Sequence, residues 1–473
     1  MSGRRKNGGR KAKDWLRRLH YSDNLPVLRE MEDNSVDLIY LDPPFNSNRA
    51  YNIIYGNDLG QVTAFEDTWY WSPQCDEYLK ELQNGDRTSV QTYGVLESLI
   101  SAFGQVQVCA YLVNMGVRLV EMRRVLKDTG SIYLHCDPTA SHYLKILMDC
   151  IFGKKNFRNE IIWHYRTGGI GKKHFAKKHD VILFYSKTEN YHFELPKEKS
   201  RDPNRFNQID PEGRAYYEKA GNLYYLDEGT AMTDTWIDIH PVRNVSKERL
   251  GYPTQKPIAL LDRIIQASSN EGGIVFDPFC GCGTSIAAAE KHKRQWIGID
   301  ITYSAIAAIN ERFDRQRLKI WGDIEILGSP KTINEVDKKL LDKESPLYAR
   351  KEFEKFCVTT IKGLPNDKMG ADGGIDGVIQ LKGRKQAIIS VKSGGVSVKD
   401  VRELKGILGE KRAIGIFITR NNPTKDMTEF ANKAGIYEGE DDLLDRDRSR
   451  KIPILQIFTL GDILEGKRPM LPQ

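Results

Sequence analysis

Asp42-Pro43-Pro44-Phe45 brings together residue types suited to handling a planar amine. The two prolines have fixed φ and no N–H, so their carbonyls point in set directions and accept hydrogen bonds without flexing. Asp42 adds a carboxylate acceptor, and Phe45 a π-face on which a planar group can stack. An amine conjugated into a ring is a poor nucleophile because its lone pair is delocalised. Hydrogen bonds from it to Asp42 and to the Pro43 carbonyl would favour a tetrahedral nitrogen with a free lone pair, a positioning and electrostatic role. Taken alone, the tetrapeptide is also ordinary strand-end turn chemistry.

A second chemical stretch runs from Gly273 through Asp277-Pro278-Phe279-Cys280-Gly281-Cys282-Gly283-Thr284 into a helical Ile286 to His292. Strand, glycine-rich turn and helix N-terminus let backbone approach a ligand closely where there is no Cβ. About twenty residues on, Trp296-Ile297-Gly298-Ile299-Asp300 is a second strand ending in an acid, placed to bind ribose hydroxyls. The combination points to a nucleoside cofactor, and the spacing by itself also permits a dinucleotide.

The elements that position these stretches alternate strand and helix. Val36 to Leu41 is an apolar run stopped by breakers, a buried strand ending where open α/β sheets bind ligands. Tyr51 to Val108 reads as irregular helix. Leu112, Met115, Leu119, Met122 and Leu126 space an amphipathic helix ending at Gly130. Ser131–His135, Ile161–Trp163 and Val181–Tyr185 are further strands, and His142 to Phe152 a helix. This is a parallel sheet covered by helices. Arg166, Lys172, Lys173, Lys177 and Lys178, interleaved with His164, His174 and His179, leave the sheet edge as a candidate nucleic-acid contact. Those histidines lack metal-ligand spacing and carboxylate partners. From Ser186 to Leu250 periodicity fades, as in an inserted, substrate-specific region.

The 473 residues suffice for two to four domains, and the net charge of +7 is compatible with an anionic partner. The first 19 residues form a basic arm, either solvated or tracking phosphates. Seven cysteines with no CxxC pair argue for a reducing compartment and against structural zinc. No apolar run approaches a membrane span and no signal peptide is visible, so a cytoplasmic protein without a membrane partner is expected.

Asp42 to Phe45 together with Asp277 to Thr284 resembles the amino-methyltransferases of DNA. The likeness continues in Tyr252-Pro253-Thr254-Gln255-Lys256-Pro257 and in His179 to Ser186. With the amine motif first and the cofactor motif last, the order is that of the β class, over residues of about 20 to 315. The resemblance implies a Rossmann-like α/β domain (20–325), S-adenosylmethionine as cofactor and double-stranded DNA as substrate, with the base flipped out. Asp42, Pro43 and Pro44 would hold the target amine and Phe45 would stack on the base. Phe279, Gly281, Gly283 and Thr284 would shape the cofactor pocket, with Asp277 at its strand end. Asp300 would take the ribose, Thr254 and Lys256 would lie near the methionine end, and residues about 187–250 would recognise the target. Asp before Pro-Pro goes mostly with adenine N6, and Ser more often with cytosine N4.

Beyond a charged linker (326–345), read as a solvated helix, a second α/β pattern occupies 346–473. A helix from Arg350 carries Glu354, a turn into a strand carries Asp376, and Ala387 to Lys392 and Ala413 to Thr419 are strands. An acid at one strand start and a lysine at the end of the next could hold a divalent ion beside a water. This stretch resembles the Mrr-like branch of the PD-(D/E)xK restriction-endonuclease fold. Asp376, Lys392 and Glu354 match its site, with Asp376 as ligand of Mg2+ if the site is active. Ser390 stands where that family has Glu, Asp or Gln, and a hydroxyl is a poor ligand for a hard cation. A working nuclease and a DNA-binding relic both stay open, as does a restriction nuclease that uses S-adenosylmethionine as effector. A homodimer is allowed. A fragment ending near Pro330 is expected to fold alone.

Overall fold

The computed structural model describes residues 15–44, 50–54, 61–66, 69–85, 90–165, 173–200, 202–243, 246–250, 252, 254–318, 320–341, 346–366, 374–381, 385–409, 412–437 and 451–472. The fold is mixed α/β in two modules, as expected. The first is built on nine strands: β1 (Arg17–Tyr21), β2 (Val36–Leu41), β3 (Leu126–Cys136), β4 (Phe157–His164), β5 (His179–Ser186), β6 (Thr235–Trp236), β7 (Ile274–Asp277), β8 (Gln295–Asp300) and β9 (Glu325–Leu327). They lie in the order β6-β4-β5-β3-β2-β7-β8-β1-β9. Only β5 runs against its neighbours, pairing antiparallel with β3 and β4.

β2 and β7 are adjacent, with Leu38 opposite Val275 and Ile39 opposite Phe276. The chain leaves β2 toward β3 on one side and leaves β7 toward β8 on the other. Their carboxyl ends therefore open on the crevice at a topological switch point. Strand alternation divides the core: Leu38, Tyr40 and Val275 face one apolar cluster, Ile39, Leu41 and Phe276 the other. The first cluster is covered by α3 (Ile258–Ser268), which buries Leu260, Leu261, Ile264 and Ile265. The second is covered by α2 (Gln107–Val125), which buries Leu112, Met115, Leu119 and Met122. Ahead of both in the chain, α1 (Asn24–Glu30) follows β1.

Several boundaries differ from the sequence reading. Arg17 and Arg18, assigned to the arm, belong to β1, which is paired on both sides and tied by Arg17–Glu290 and Arg18–Glu325 ion pairs. Residues 50–54 and 61–66 form an antiparallel hairpin rather than helix. The helix read as running to Gly130 ends at Val125, and β3 takes over at Leu126. Within 187–250, residues 208–209, 215–219 and 222–225 make a small sheet, and Thr235–Trp236 extends the main one.

The second module has five strands in chain order: β10 (Leu364–Pro365), β11 (Gly377–Gln380), β12 (Gln386–Lys392), β13 (Arg412–Thr419) and β14 (Leu455–Thr459). It is not tethered by a solvated helix. Val336 and Leu340 of the linker are fully buried, in one cluster with Phe313 of the first module and Phe353 and Phe356 of the second. Asp337 is bonded by both arms of Arg420 at the end of β13.

Candidate active site

The crevice is a cavity of about 260 Å3 lined by the residues just past β2, β7 and β8. Asp42 stands at its floor, two residues after Tyr40 and on the same face of the strand. One carboxylate oxygen, Oδ2, is paired with Lys256 Nζ at 2.5 Å. The other, Oδ1, is buried and has no hydrogen-bond partner among the described residues. An ionised carboxylate oxygen is an acceptor and nothing else, so a buried orphan implies a donor yet to arrive. Pro43 and Pro44 line the same cavity, while Phe45 lies outside the described residues.

The opposite wall is the turn after β7. Asp277 is buried, accepting from Phe279 N–H (3.0 Å) and from the Ser285 hydroxyl. Burial pushes its carboxyl up to about 7 against those two bonds. Phe279, Gly281 and Thr284 line the cavity. At Gly281 (φ +47°) a Cβ would stand 3.3 Å from the Tyr252 ring. Gly283 stands one step behind that wall. It is not among the lining residues. Its φ is +70°, and a Cβ there would lie 2.7 Å from Ile309, so the missing side chain lets the turn that caps α4 (Thr284–Lys291) close on Ile309 of α5 (Tyr303–Arg315).

Asp300 at the end of β8 lines the cavity and ties its loops together. Its Oδ1 accepts from the N–H and hydroxyl of Thr302, and its Oδ2 from Gly281 N–H at 3.0 Å. Each oxygen offers two lone pairs, so Oδ2 keeps room for a ribose hydroxyl. Burial raises this carboxyl to about 6, and the charge of Glu352 adds to that. Thr254 and Lys256 line the cavity as well, Thr254 in a left-handed conformation (φ +56°) costly for a branched residue. Gln255 fixes their segment by accepting from Leu250 N–H and donating to the Glu248 carbonyl.

Two parts of the site escaped the sequence reading. Arg118 is buried on α2, donating to Asn24 Oδ1 (2.7 Å) and Asp23. Asn24 in turn donates to the Pro278 carbonyl at 2.8 Å. All four line the cavity. The available signal was a charge on an apolar stripe, since Arg118 follows Met115 by three residues. The other part is a buried chain behind the floor. Tyr40 bonds His135 Nδ1 (3.0 Å), His135 Nε2 bonds Asp180 (3.1 Å), and Tyr165 donates to Asp180 (3.1 Å). Burial pushes Asp180 up, but the bonds from His135 and Tyr165 and the charge of Lys256 outweigh it and leave the carboxyl below its ordinary value. Tyr165 stands at the start of the basic segment. Arg166 and Lys172 of that segment lie outside the described residues.

In the second module Asp376 accepts from Val391 N–H at 2.7 Å, and its carboxyl is raised to about 7 by burial and by the neighbouring Glu354 charge. Lys392 pulls the same carboxyl the other way, so the charges of all three expected residues bear on one another. Their state suits Mg2+ poorly. Glu354, 3 % exposed, is held by Arg350 (2.9 Å) and Lys351 (2.6 Å), and Ser390 is buried where a carboxylate would complete the shell. Among the described residues no group of three His, Cys, Asp or Glu could hold a metal ion. Mg2+ keeps its waters unless carboxylates anchor it, and a paired Glu354 beside Ser390 offers it little anchorage.

A carboxylate-Pro-Pro strand end facing a glycine turn, with an acid on the next strand, defines a Rossmann-like methyltransferase of the amino-directed class. Residues 36–311 match the DNA methylase family, and residues 349–448 match a restriction endonuclease family. The chain belongs to the DNA methylase family, whose methyl donor is S-adenosylmethionine, and carries a C-terminal restriction-endonuclease domain of the Mrr type. The type II methyltransferase M.EcaI of Enterobacter cloacae is 31% identical over 350 residues, 62% of this chain and 68% of that protein. M.HpaI of Haemophilus parainfluenzae, also a type II methyltransferase, is 30% identical over 302 residues, covering 63% and 74%. The DNA adenine methyltransferase YhdJ of Escherichia coli (strain K12) is 26% identical over 303 residues, covering 62% and 81%. The protein is thus a DNA amino-methyltransferase of restriction-modification type. Among the described residues no helix is long and apolar enough to cross a membrane.

Proposed function

We propose that the chain methylates N6 of adenine in double-stranded DNA. The observation that carries this reading is the divided Asp42 carboxylate, one oxygen held by Lys256 and the other buried without a donor. The cavity suits S-adenosylmethionine: it is mostly apolar, with acids at two strand ends and a glycine in its wall whose Cβ would crowd the Tyr252 ring. Asp300 takes the ribose, Phe279, Gly281 and Thr284 shape the wall, Asp277 braces the turn, and Thr254 and Lys256 stand toward the methionine end. Bound there, the cofactor supplies an electrophilic methyl group on a sulfonium. Asp42 Oδ1 and the Pro43 carbonyl, aimed by the turn that Pro44 fixes, each accept one N–H of the flipped base's amine. Its lone pair is thereby freed from the ring and aimed, an effect of geometry and field that needs no proton transfer before the methyl is transferred. Asp rather than Ser before the prolines favours adenine, and an adenine methyltransferase among the relatives supports that choice.

For the second module we propose DNA binding without efficient cleavage, because Glu354 is neutralised by two cations and Ser390 replaces a ligand. One experiment addresses both readings. A plasmid propagated in cells expressing the chain is expected to carry N6-methyladenine at one sequence by long-read detection, and N4-methylcytosine instead would overturn the base assignment. The same plasmid, prepared unmethylated, is expected to stay intact with purified protein and millimolar-range Mg2+. Cutting abolished by Asp376→Ala would overturn the second reading.

Gly281→Val tests the cofactor wall. A β-branched residue at positive φ costs on the order of 1–2 kcal/mol, and its Cβ would press on the Tyr252 ring. S-adenosylmethionine affinity is expected to fall about tenfold by calorimetry, since about 1.4 kcal/mol is a factor of ten. Unchanged affinity would move the cofactor elsewhere.

A further inference from the structure

Helix α5 starts three residues after Asp300, and the two residues that lead into it, Ile301 and the N-cap Thr302, are part of the cavity wall. The first N–H groups of any helix have no partner inside it. Thr302 at the N-cap accepts from Ala305 N–H at 3.2 Å, which leaves the N–H of Tyr303 to be met from elsewhere. It donates to Glu352 Oε2 at 3.3 Å, on α6 (Pro346–Thr360) of the second module. Glu352 is 2 % exposed. A carboxylate facing a helix N-terminus is electrostatically favoured. The same turn is gripped by rings: Tyr303 meets Phe356 of α6 edge-on at 5.1 Å and Tyr21 at 4.2 Å. Residues two apart on a helix point about 200° apart, as 3.6 residues per turn requires. Glu352 thus faces the methyltransferase, while Glu354 faces Asp376.

We propose that Glu352 is a positioning residue for the methyl donor. By holding the Tyr303 N–H it fixes the Asp300–Thr302 turn, so that the second module completes the donor site of the first. The proposal rests on the reading that Asp300 takes the ribose. It differs from a merely structural contact in what it predicts: a carboxylate that only glued two modules together would, on removal, weaken donor binding, DNA binding and turnover alike.

The test uses the full chain. Glu352→Ala is expected to raise the Kd and KM for S-adenosylmethionine about fivefold, the scale of losing a helix cap. The kcat at saturating donor and the affinity for DNA should stay within about twofold. Glu352→Gln keeps an acceptor for the Tyr303 N–H and should bind the donor within about twofold of the parent. Unchanged donor affinity in Glu352→Ala, or a matching fall in kcat and DNA binding, would overturn the proposal. Asp300→Asn is measured alongside. If it leaves donor affinity unaltered, the ribose reading falls and takes this proposal with it. If it weakens binding while Glu352→Ala does not, only the proposal falls. Should Glu352→Ala fail to fold, hydrogen exchange on the unmodified chain decides: S-adenosylhomocysteine should slow exchange of the amides of residues 346–360, by reciprocity of coupled sites. Unchanged protection there would overturn the proposal.

Discussion

Asp42→Ala is expected to lower the rate of methyl transfer by about 10²–10³-fold, the loss typical of removing one preorganised electrostatic partner of a reacting group. Single-turnover kinetics on a short duplex with saturating S-adenosylmethionine measures this directly. The cofactor should still bind, because the residues proposed to hold its nucleoside, Asp277, Phe279, Gly281, Thr284 and Asp300, lie on β7, β8 and the turn into α4 rather than on β2. The variant also removes the carboxylate that faces Lys256, 9 % exposed, so a change of a few-fold in donor affinity is expected from that cation alone. Asp42→Asn separates charge from shape. It keeps an acceptor oxygen of the same size toward the amine, and should fall between parent and alanine. A rate above about a tenth of the parent in Asp42→Ala would remove Asp42 from the chemistry.

Much of this site was readable from residue order because its acids sit at the ends of apolar, β-rich runs, where strand and ligand edge coincide. Val36–Leu41, Ile274–Asp277 and Gln295–Asp300 are strands for that reason, and they deliver Asp42, Asp277 and Asp300 to one crevice. What stayed hidden depends on partners far away in sequence. Arg17 and Arg18 look like part of a basic arm, yet they belong to a strand paired on both sides, in register with residues 296, 297 and 325. Arg118 looks like a misplaced charge on an apolar helix until Asn24 and Asp23 are brought beside it by α1. Gly283 looks like a cofactor glycine, and what residue order does not show is that its turn also closes on Ile309, which leaves no space for a side chain. The linker looked solvated because Asp337, Lys338 and Lys339 surround its apolar residues. Val336 and Leu340 are four apart, on one face, and that face is buried.

The linker decides the second large effect. A fragment ending at Pro330, which the motif order alone suggests is self-sufficient, is expected to be insoluble or to melt far below the full chain. Cutting there deletes Val336, Leu340, Phe353 and Phe356, all buried in one cluster with α5 residues Tyr303, Ile306, Ile309 and Phe313. Each large apolar side chain returned to water costs about 1.5–3 kcal/mol. Losing the cover of even three of them on α5 approaches the roughly 5–15 kcal/mol that keeps a typical protein folded. The cut also takes away Glu352 from Tyr303 N–H and the Phe356 ring from Tyr303. Ending at residue 341 instead would keep Val336 and Leu340 but still bare Tyr303, so that fragment should be intermediate. Thermal melts and sedimentation of the three lengths side by side give the ranking. A monomeric, soluble fragment of residues 1–330 that methylates DNA at the parental rate would show that the shared cluster is dispensable, and that the second module leans on the first without supporting it.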